Sequence, residues 1–422
     1  MLFRPLRVSV ATVVTLRGMS RFRRRRDVVE EQGTTALELF YDLVFVFAIT
    51  QVSQLLLEHL TWEGTWHASL VLLVVWWAWN YTTWVTNELD PESVVVRALL
   101  IGLMLASLLM AVAIPEAFGT RALLFVGSYV AIQVGRHVFL TFVAAERGTI
   151  ERERAGQILC WFVAAGVLWI AGGVASGSDR TALWLAALAL DYGAPLVLFR
   201  VPGRSRLTAS AWTVETSHFA ERFQLFMIIA LGESIVVTGA TSAKLDLDTA
   251  RVAAFGTAFL GTAALWWLYF NYVARIAQRR LELADDRTTL ARDAYTYLHV
   301  VMVAGVIVAA VGDELAIEHP TDRLPAAQLA AVVAGPAIYL LAHTLFRLRM
   351  AGSLSWKRLA GALACVAVGG VGAFAPALVV AGLVVAVLVA VIAAEHVAAA
   401  RRAARGEPSP LERLETSAAR NA

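Results

Sequence analysis

The chain has 422 residues, 59% hydrophobic and only 16% charged, with a net charge of +3 and a mean hydropathy of +0.65. Soluble domains carry about 25% charged residues, so this composition excludes a soluble globular protein and points to an all-α, polytopic membrane protein. The two cysteines, Cys160 and Cys365, sit inside apolar runs, which excludes a disulfide framework and leaves no zinc spacing.

Taken in order, residues 1–34 form a basic tail holding Arg21 and Arg23 to Arg26. Its apolar piece, Val8 to Leu16, is too short to span, since a spanning helix needs about 20 residues. Arginines follow it instead of a small-residue cleavage site, so it does not read as a signal peptide. A cytoplasmic tail touching anionic lipid is the expectation. Twelve runs long enough to span then follow, near 36–58, 66–87, 94–114, 121–145, 155–175, 181–200, 214–240, 249–275, 290–312, 326–347, 357–374 and 376–398. Only Ala375 and Pro376 separate the last two, which read either as two helices or as one broken helix.

Lysine and arginine set the orientation. With twelve spans, 29 of the 36 basic residues fall on the side that holds both termini and 5 on the other, while Arg136 and Arg222 lie within spans. This bias predicts cytoplasmic termini in a bacterial inner membrane. The halves also echo one another. Glu38-Leu-Phe40 opens the first span and Glu221-Arg-Phe223 sits early in the seventh; Trp76-x-x-x-Asn80-Tyr81 recurs as Trp267-x-x-x-Asn271-Tyr272. Two parallel six-helix repeats are therefore expected, related by an axis along the membrane normal. The segments become a tail (1–34), a first repeat (35–200), a cytoplasmic linker (201–213), a second repeat (214–398) and a cytoplasmic C-terminal tail (399–422).

Polar residues inside these spans are the candidate site, because each ionisable group near a bilayer centre costs about 2.5–3.5 kcal/mol on insertion scales. In the seventh span His218, Glu221, Arg222, Leu225, Ile229 and Glu233, followed by Ser234, recur at helical spacing. That side faces protein or a water-filled cavity, as a buried network fixing helix register or as a functional lining. In the first span Glu38 and Asp42 are four apart and share a face, with Gln51 further along. They suit a proton or cation site, unless Glu38 is solvated at the interface and only Asp42 is deep. Arg136 and His137 in the fourth span, Asp191 in the sixth and His299 in the ninth are supporting polar groups, with Arg136 the natural partner of a deep carboxylate. Trp76, Asn80, Trp267 and Asn271 complete the set. No Gly-rich phosphate loop, His-Glu-x-x-His or nucleophile elbow is present, so neither an ATP-driven motor, a cofactor nor a metal centre is expected.

The segments Glu38-Leu-Phe-Tyr-Asp-Leu-Val-Phe-Val-Phe-Ala-Ile49 and His218-Phe-Ala-Glu-Arg-Phe-Gln-Leu-Phe-Met-Ile-Ile-Ala-Leu-Gly-Glu-Ser234 resemble the two hallmark stretches of the bacterial low temperature requirement protein A family. The resemblance covers about residues 30–400 and implies a polytopic bacterial membrane protein linked to growth in the cold, without a settled biochemical activity. Phe40-Tyr41-Asp42 and the apolar stretch after it are also similar to the pore-lining first helix of the lysosomal potassium/proton channel family, built from six-helix repeats. Tyr41 replaces that family's serine, and Phe223-Gln-Leu225 has no aspartate at the aligned position. A shared helical framework is implied, but not a potassium filter.

These readings converge on passage of an ion or small solute, by channel or carrier, along a path lined by the first and seventh helices. An envelope accessory or sensor protein is the alternative, as is an intramembrane enzyme acting on lipid with Glu221 or Glu233 and His218 as acid and base. The expected partners are the bilayer, the unidentified solute and further copies of the chain, with no nucleic acid.

Overall fold

The computed structural model describes residues 22, 33–271 and 273–421; most of the basic N-terminal tail, and Tyr272, lie outside them. Among the described residues every regular element is helical. In chain order they are α1 (Ala36–Glu58), α2 (Trp62–Thr86), α3 (Val94–Ala113), α4 (Ala122–Phe139), α5 (Ile150–Val174), α6 (Gly177–Gly193) and α7 (Thr216–Ala243). The second half holds α8 (Thr249–Phe270), the short α9 (Val273–Glu282), α10 (Arg287–Glu318), α11 (Ala326–Ala351), α12 (Trp356–Gly372), α13 (Ala377–Ala404) and the terminal α14 (Pro410–Asn421).

A helix covers each of the twelve expected positions, and residues 375–376 do separate α12 from α13. Among the described residues, nine helices are long and apolar enough to cross a membrane. The other three positions fall outside that set for physical reasons. α6 and α12 have 17 residues each, short of the usual span. α2 has 25 residues but carries six tryptophans, together with Asn80, Tyr81 and several threonines, so its composition is aromatic and polar rather than aliphatic. Lipid-facing stripes are evident elsewhere, as in Ile101, Leu105 and Leu108 of α3 and Ile228, Ile235 and Val236 of α7, all exposed.

Local sequence fixes the helix starts. Thr35 and Glu38 form a reciprocal capping box at α1: Glu38 N–H donates to Thr35 Oγ1, and Thr35 N–H donates to Glu38 Oε2 at 3.0 Å. Thr61, Thr149 and Asp248 cap α2, α5 and α8 with their side-chain oxygens. Among the nine helices long and apolar enough to cross a membrane, α10 is the most enclosed, and it packs against α11, α7, α1 and α8. Small residues permit its closest approach. A Cβ on Gly335 would lie 2.3 Å from Ala309 N, and one on Gly305 would lie 2.7 Å from Tyr339 N. Backbone-to-backbone packing of this kind is how helices associate where lipid removes the usual hydrophobic drive.

Two stretches depart from α geometry. Leu140–Ala144, continuing α4, and Ala291–Leu298, inside α10, are π-helical turns. After α6 the chain turns sharply at Leu198 and Phe199, both with positive φ near 50°, a conformation non-glycine residues adopt rarely.

Candidate functional site

α1 and α7, 180 residues apart in sequence, pack side by side. Glu38 and Asp42 stack one turn apart on α1, and His218 and Arg222 stack one turn apart on α7. The two pairs meet. Arg222 Nη2 donates to Asp42 Oδ1 at 2.6 Å, and Arg222 Nη1 lies 3.4 Å from Glu38 Oε1. His218 Nε2 lies 3.0 Å from Glu38 Oε1. All four side chains are 1% exposed or less. The reading of Glu38 as a solvated interfacial group is thereby overturned: its capping role turns the carboxylate inward, against His218 and Arg222.

Two further residues complete the cluster. Trp79 of α2 donates its Nε1–H to Asp42 Oδ1 at 2.8 Å. Asn87 accepts Glu215 N–H on Oδ1 at 2.8 Å, which fixes its amide so that Nδ2 faces His218 Nδ1 at 3.1 Å. An amide NH2 only donates. His218 Nδ1 is therefore placed to accept, and Nε2 is directed at Glu38. Among the described residues the cluster brings two carboxylates to the Arg222 guanidinium. Asp42 Oδ2 and Arg222 Nε are buried without a hydrogen-bond partner among the described residues.

Further along the same helices, Thr50 Oγ1 donates to Glu233 Oε2 at 2.5 Å. Glu233 Oε1 and the hydroxyl of the adjacent Ser234 are buried without partners among the described residues. Glu314 of α10 accepts from Thr241 Oγ1 at 2.9 Å. Neither Glu233 nor Glu314 makes an ion pair among the described residues. Glu221 is half-buried and accepts Thr34 N–H at 2.9 Å. Gln51, half-buried on α1, is not drawn into either cluster.

The supporting residues separate. Arg136 does not pair directly with a deep carboxylate. It donates to Thr82 Oγ1 at 2.8 Å and to Gln133 Oε1, and reaches Asp191 only through Gln133 and Tyr129, whose hydroxyl donates to Asp191 Oδ2 at 2.7 Å. The reason is geometric: the guanidinium is divided between Gln133, one turn away on α4, and Thr82 of α2. Trp169 Nε1–H also donates to Asp191. Trp76 and Asn80 gather on Thr296 of α10: Trp76 Nε1–H donates to its carbonyl at 2.8 Å, and Thr296 Oγ1 donates to Asn80 Oδ1 at 3.1 Å. Trp267 and Asn271, with the same spacing, are exposed and do not join the site, because that face of α8 looks away from α10. His299 meets Tyr269 OH at 2.8 Å and stacks on Tyr295. His218 is committed to Glu38 and Asn87 rather than to Glu221 or Glu233, so the acid–base pairing imagined for a lipid-modifying enzyme is not assembled.

Comparison with known proteins decides the family. The model of the bacterial low temperature requirement A protein family matches residues 34–393, which include both arms of the α1–α7 cluster. The chain belongs to that family. An uncharacterized protein of Rhizobium meliloti (strain 1021) is 34% identical over 328 residues, covering 77% of this chain and 80% of the relative. No solved structure matches. As a family member with nine apolar helices of spanning length among its described residues, this is an integral membrane protein.

Proposed function

We propose that this protein passes an ion or small solute across the bacterial inner membrane, and that the α1–α7 seam is the element that opens. The reading adds twelve spans in two parallel six-helix repeats, with both termini cytoplasmic. The 29-to-5 division of basic residues supports that orientation. Reporter fusions after Arg206 and Arg402 are expected to read cytoplasmic and a fusion near Ser242 external; a reversed interior loop breaks the twelve-span arrangement.

One observation carries the passage reading. Among the described residues, two carboxylates meet the Arg222 guanidinium in a cluster sealed from solvent, with the His218 ring beside them. Asp42 Oδ2 is buried without a hydrogen-bond partner among the described residues, and such a carboxylate oxygen is expensive inside a membrane protein, so the cluster offers a place for one proton or one other cation. Its members come from two different helices, so separation of α1 from α7 would expose the bound charge. The seam is closed in this structure, its charged side chains packed against protein. That closure favours a carrier, or a channel in its shut state, over a standing pore. It also favours the accessory-protein alternative, in which the same network only joins two helices.

Proteoliposome flux separates these two. The protein is screened against protons, potassium, sodium and amino acids, with Asp42→Asn as the variant. Passage predicts flux above empty liposomes that Asp42→Asn abolishes while the variant inserts and folds. Absence of flux for every solute, or a variant whose only defect is poor folding, favours the accessory reading.

A further inference from the structure

At the end of the bundle where α8, α11 and α13 finish and α12 begins, a cavity of about 290 Å3 opens among the helix ends. Trp267 lines it from α8, Arg347 from α11, Lys357 and Arg358 from α12, and Arg402 from α13. A second cavity, of about 560 Å3, adjoins it and shares Lys357 and Arg402 as lining. Arg401, Arg405 and Arg413 add to the wall of this second space.

The two linings together hold seven lysine and arginine side chains and two carboxylates, Glu395 and Glu407. Both carboxylates are taken. Arg358 pairs with Glu395 at 2.8 Å, and Glu407 meets Arg405 at 3.0 Å and Arg413 at 3.6 Å. Arg347, Lys357, Arg401 and Arg402 have no acidic partner among the described residues. Arg347 reaches Ser353 Oγ at 3.3 Å, and Lys357 donates to the Ala394 carbonyl at 2.8 Å; both acceptors are neutral and leave the charge uncancelled. Lys357 also sits in the first turn of α12, where the helix dipole is positive and a cation is unfavourable. An anion lodged beside it relieves that conflict.

The surroundings narrow the class of anion. Trp267 and Trp356 line the first cavity and are 45% and 71% exposed, as tryptophans are at the level of lipid head groups. Along the helices leading away from the cavity, Leu363 of α12 and Val389 of α13 are exposed and offer an apolar surface for acyl chains. A ligand with an anionic head and an apolar tail is matched at both ends. Basic pockets between spanning helices hold phospholipid heads in this way.

We infer that these adjoining cavities hold the phosphate head of an anionic phospholipid, with Lys357 and Arg402 as the shared phosphate contacts, Trp356 beside the glycerol, and the acyl chains along Leu363 and Val389. The site is independent of whether the α1–α7 seam passes a solute. A soluble phosphate ester offers the same head without the tail, and the test separates the two.

The test uses the full-length protein reconstituted in phosphatidylcholine vesicles. Phosphatidylglycerol with acyl chains brominated near the glycerol is titrated in, and its quenching of tryptophan fluorescence is compared with that by equally brominated phosphatidylcholine. Preferential, saturable quenching by the anionic lipid is expected, and Trp356→Phe is expected to remove most of the preferential part. Lys357→Gln combined with Arg402→Gln is expected to weaken the preference about tenfold or more, since each basic residue near an anionic head contributes about fivefold. If that pair does not fold, either substitution alone is expected to weaken it about fivefold. Arg204→Gln with Arg206→Gln removes the same charge from the exposed linker before α7 and is expected to leave the preference intact. Millimolar glycerol 3-phosphate, the soluble head, is expected not to displace the lipid. Equal quenching by the two lipids, indifference to the Lys357 and Arg402 substitutions, an equal loss in the linker variant, or displacement by glycerol 3-phosphate overturns the inference.

Discussion

The two ends of the α1–α7 seam solve the same problem differently. At the His218 end, buried carboxylates face a guanidinium, an indole N–H and an imidazole N–H. At the Glu233 end, a buried carboxylate receives one hydroxyl donor from Thr50, its second oxygen has no partner among the described residues, and no ion pair forms there. The first is held together by charge, the second only by hydrogen bonding. Among the described residues, an ionised carboxylate is therefore stabilised at one end and poorly accommodated at the other.

The strongest way to break the comparison is Arg222→Met. Arg222 is the guanidinium that faces Asp42 and Glu38 among the described residues, and loss of one partner from a buried pair costs about 3–5 kcal/mol. A large drop in thermal or denaturant stability in detergent is expected. Adding Asp42→Leu to that variant removes one stranded carboxylate and is expected to restore part of the loss. If Arg222→Met alone is as stable as the parent, the His218 end is not held by charge.

At the other end the expected sign reverses. Glu233→Gln removes a carboxylate that has no cation to lose, keeps an acceptor for Thr50 and supplies its own N–H donors. Stability is expected to hold or rise slightly, while any flux through the seam falls. A destabilisation comparable to that of Arg222→Met would make the two ends equivalent and remove the asymmetry.

Much of this was legible in the sequence. Acidic Glu38 and Asp42, and basic His218 and Arg222, each sit at i,i+4, so each pair shares one helix face. Their mutual contact was less accessible, because 180 residues separate them and the helical period says which face a residue takes, not which helix meets it. Thr35-Ala-Leu-Glu38 is a readable capping box, and it would have predicted that Glu38 sits at the helix start with its carboxylate turned back. Asn87 gave no signal of its own, since its role depends on Glu215 and His218 lying nearby. Trp267-x-x-x-Asn271 shows the opposite failure. It repeats the spacing of Trp76 and Asn80, yet Trp76 is 1% and Trp267 45% exposed. Spacing carries over between the halves, but the neighbour that buries it does not. The basic cavity beside Trp356 was out of reach for a related reason: its charges come from the ends of α11, α12 and α13, which the helical period does not bring together.

If the α1–α7 seam opens, Ser234 is placed to report it. Its hydroxyl is buried beside Glu233 without a partner among the described residues, so Ser234→Cys is a mild change there. In a background lacking Cys160 and Cys365, a small membrane-impermeant thiol reagent is applied to intact cells or sealed vesicles. An opening seam predicts modification of the folded protein from one face of the membrane only. Modification that occurs only after denaturation, from neither face of the folded protein, would contradict the account and leave the cluster as a static joint between α1 and α7.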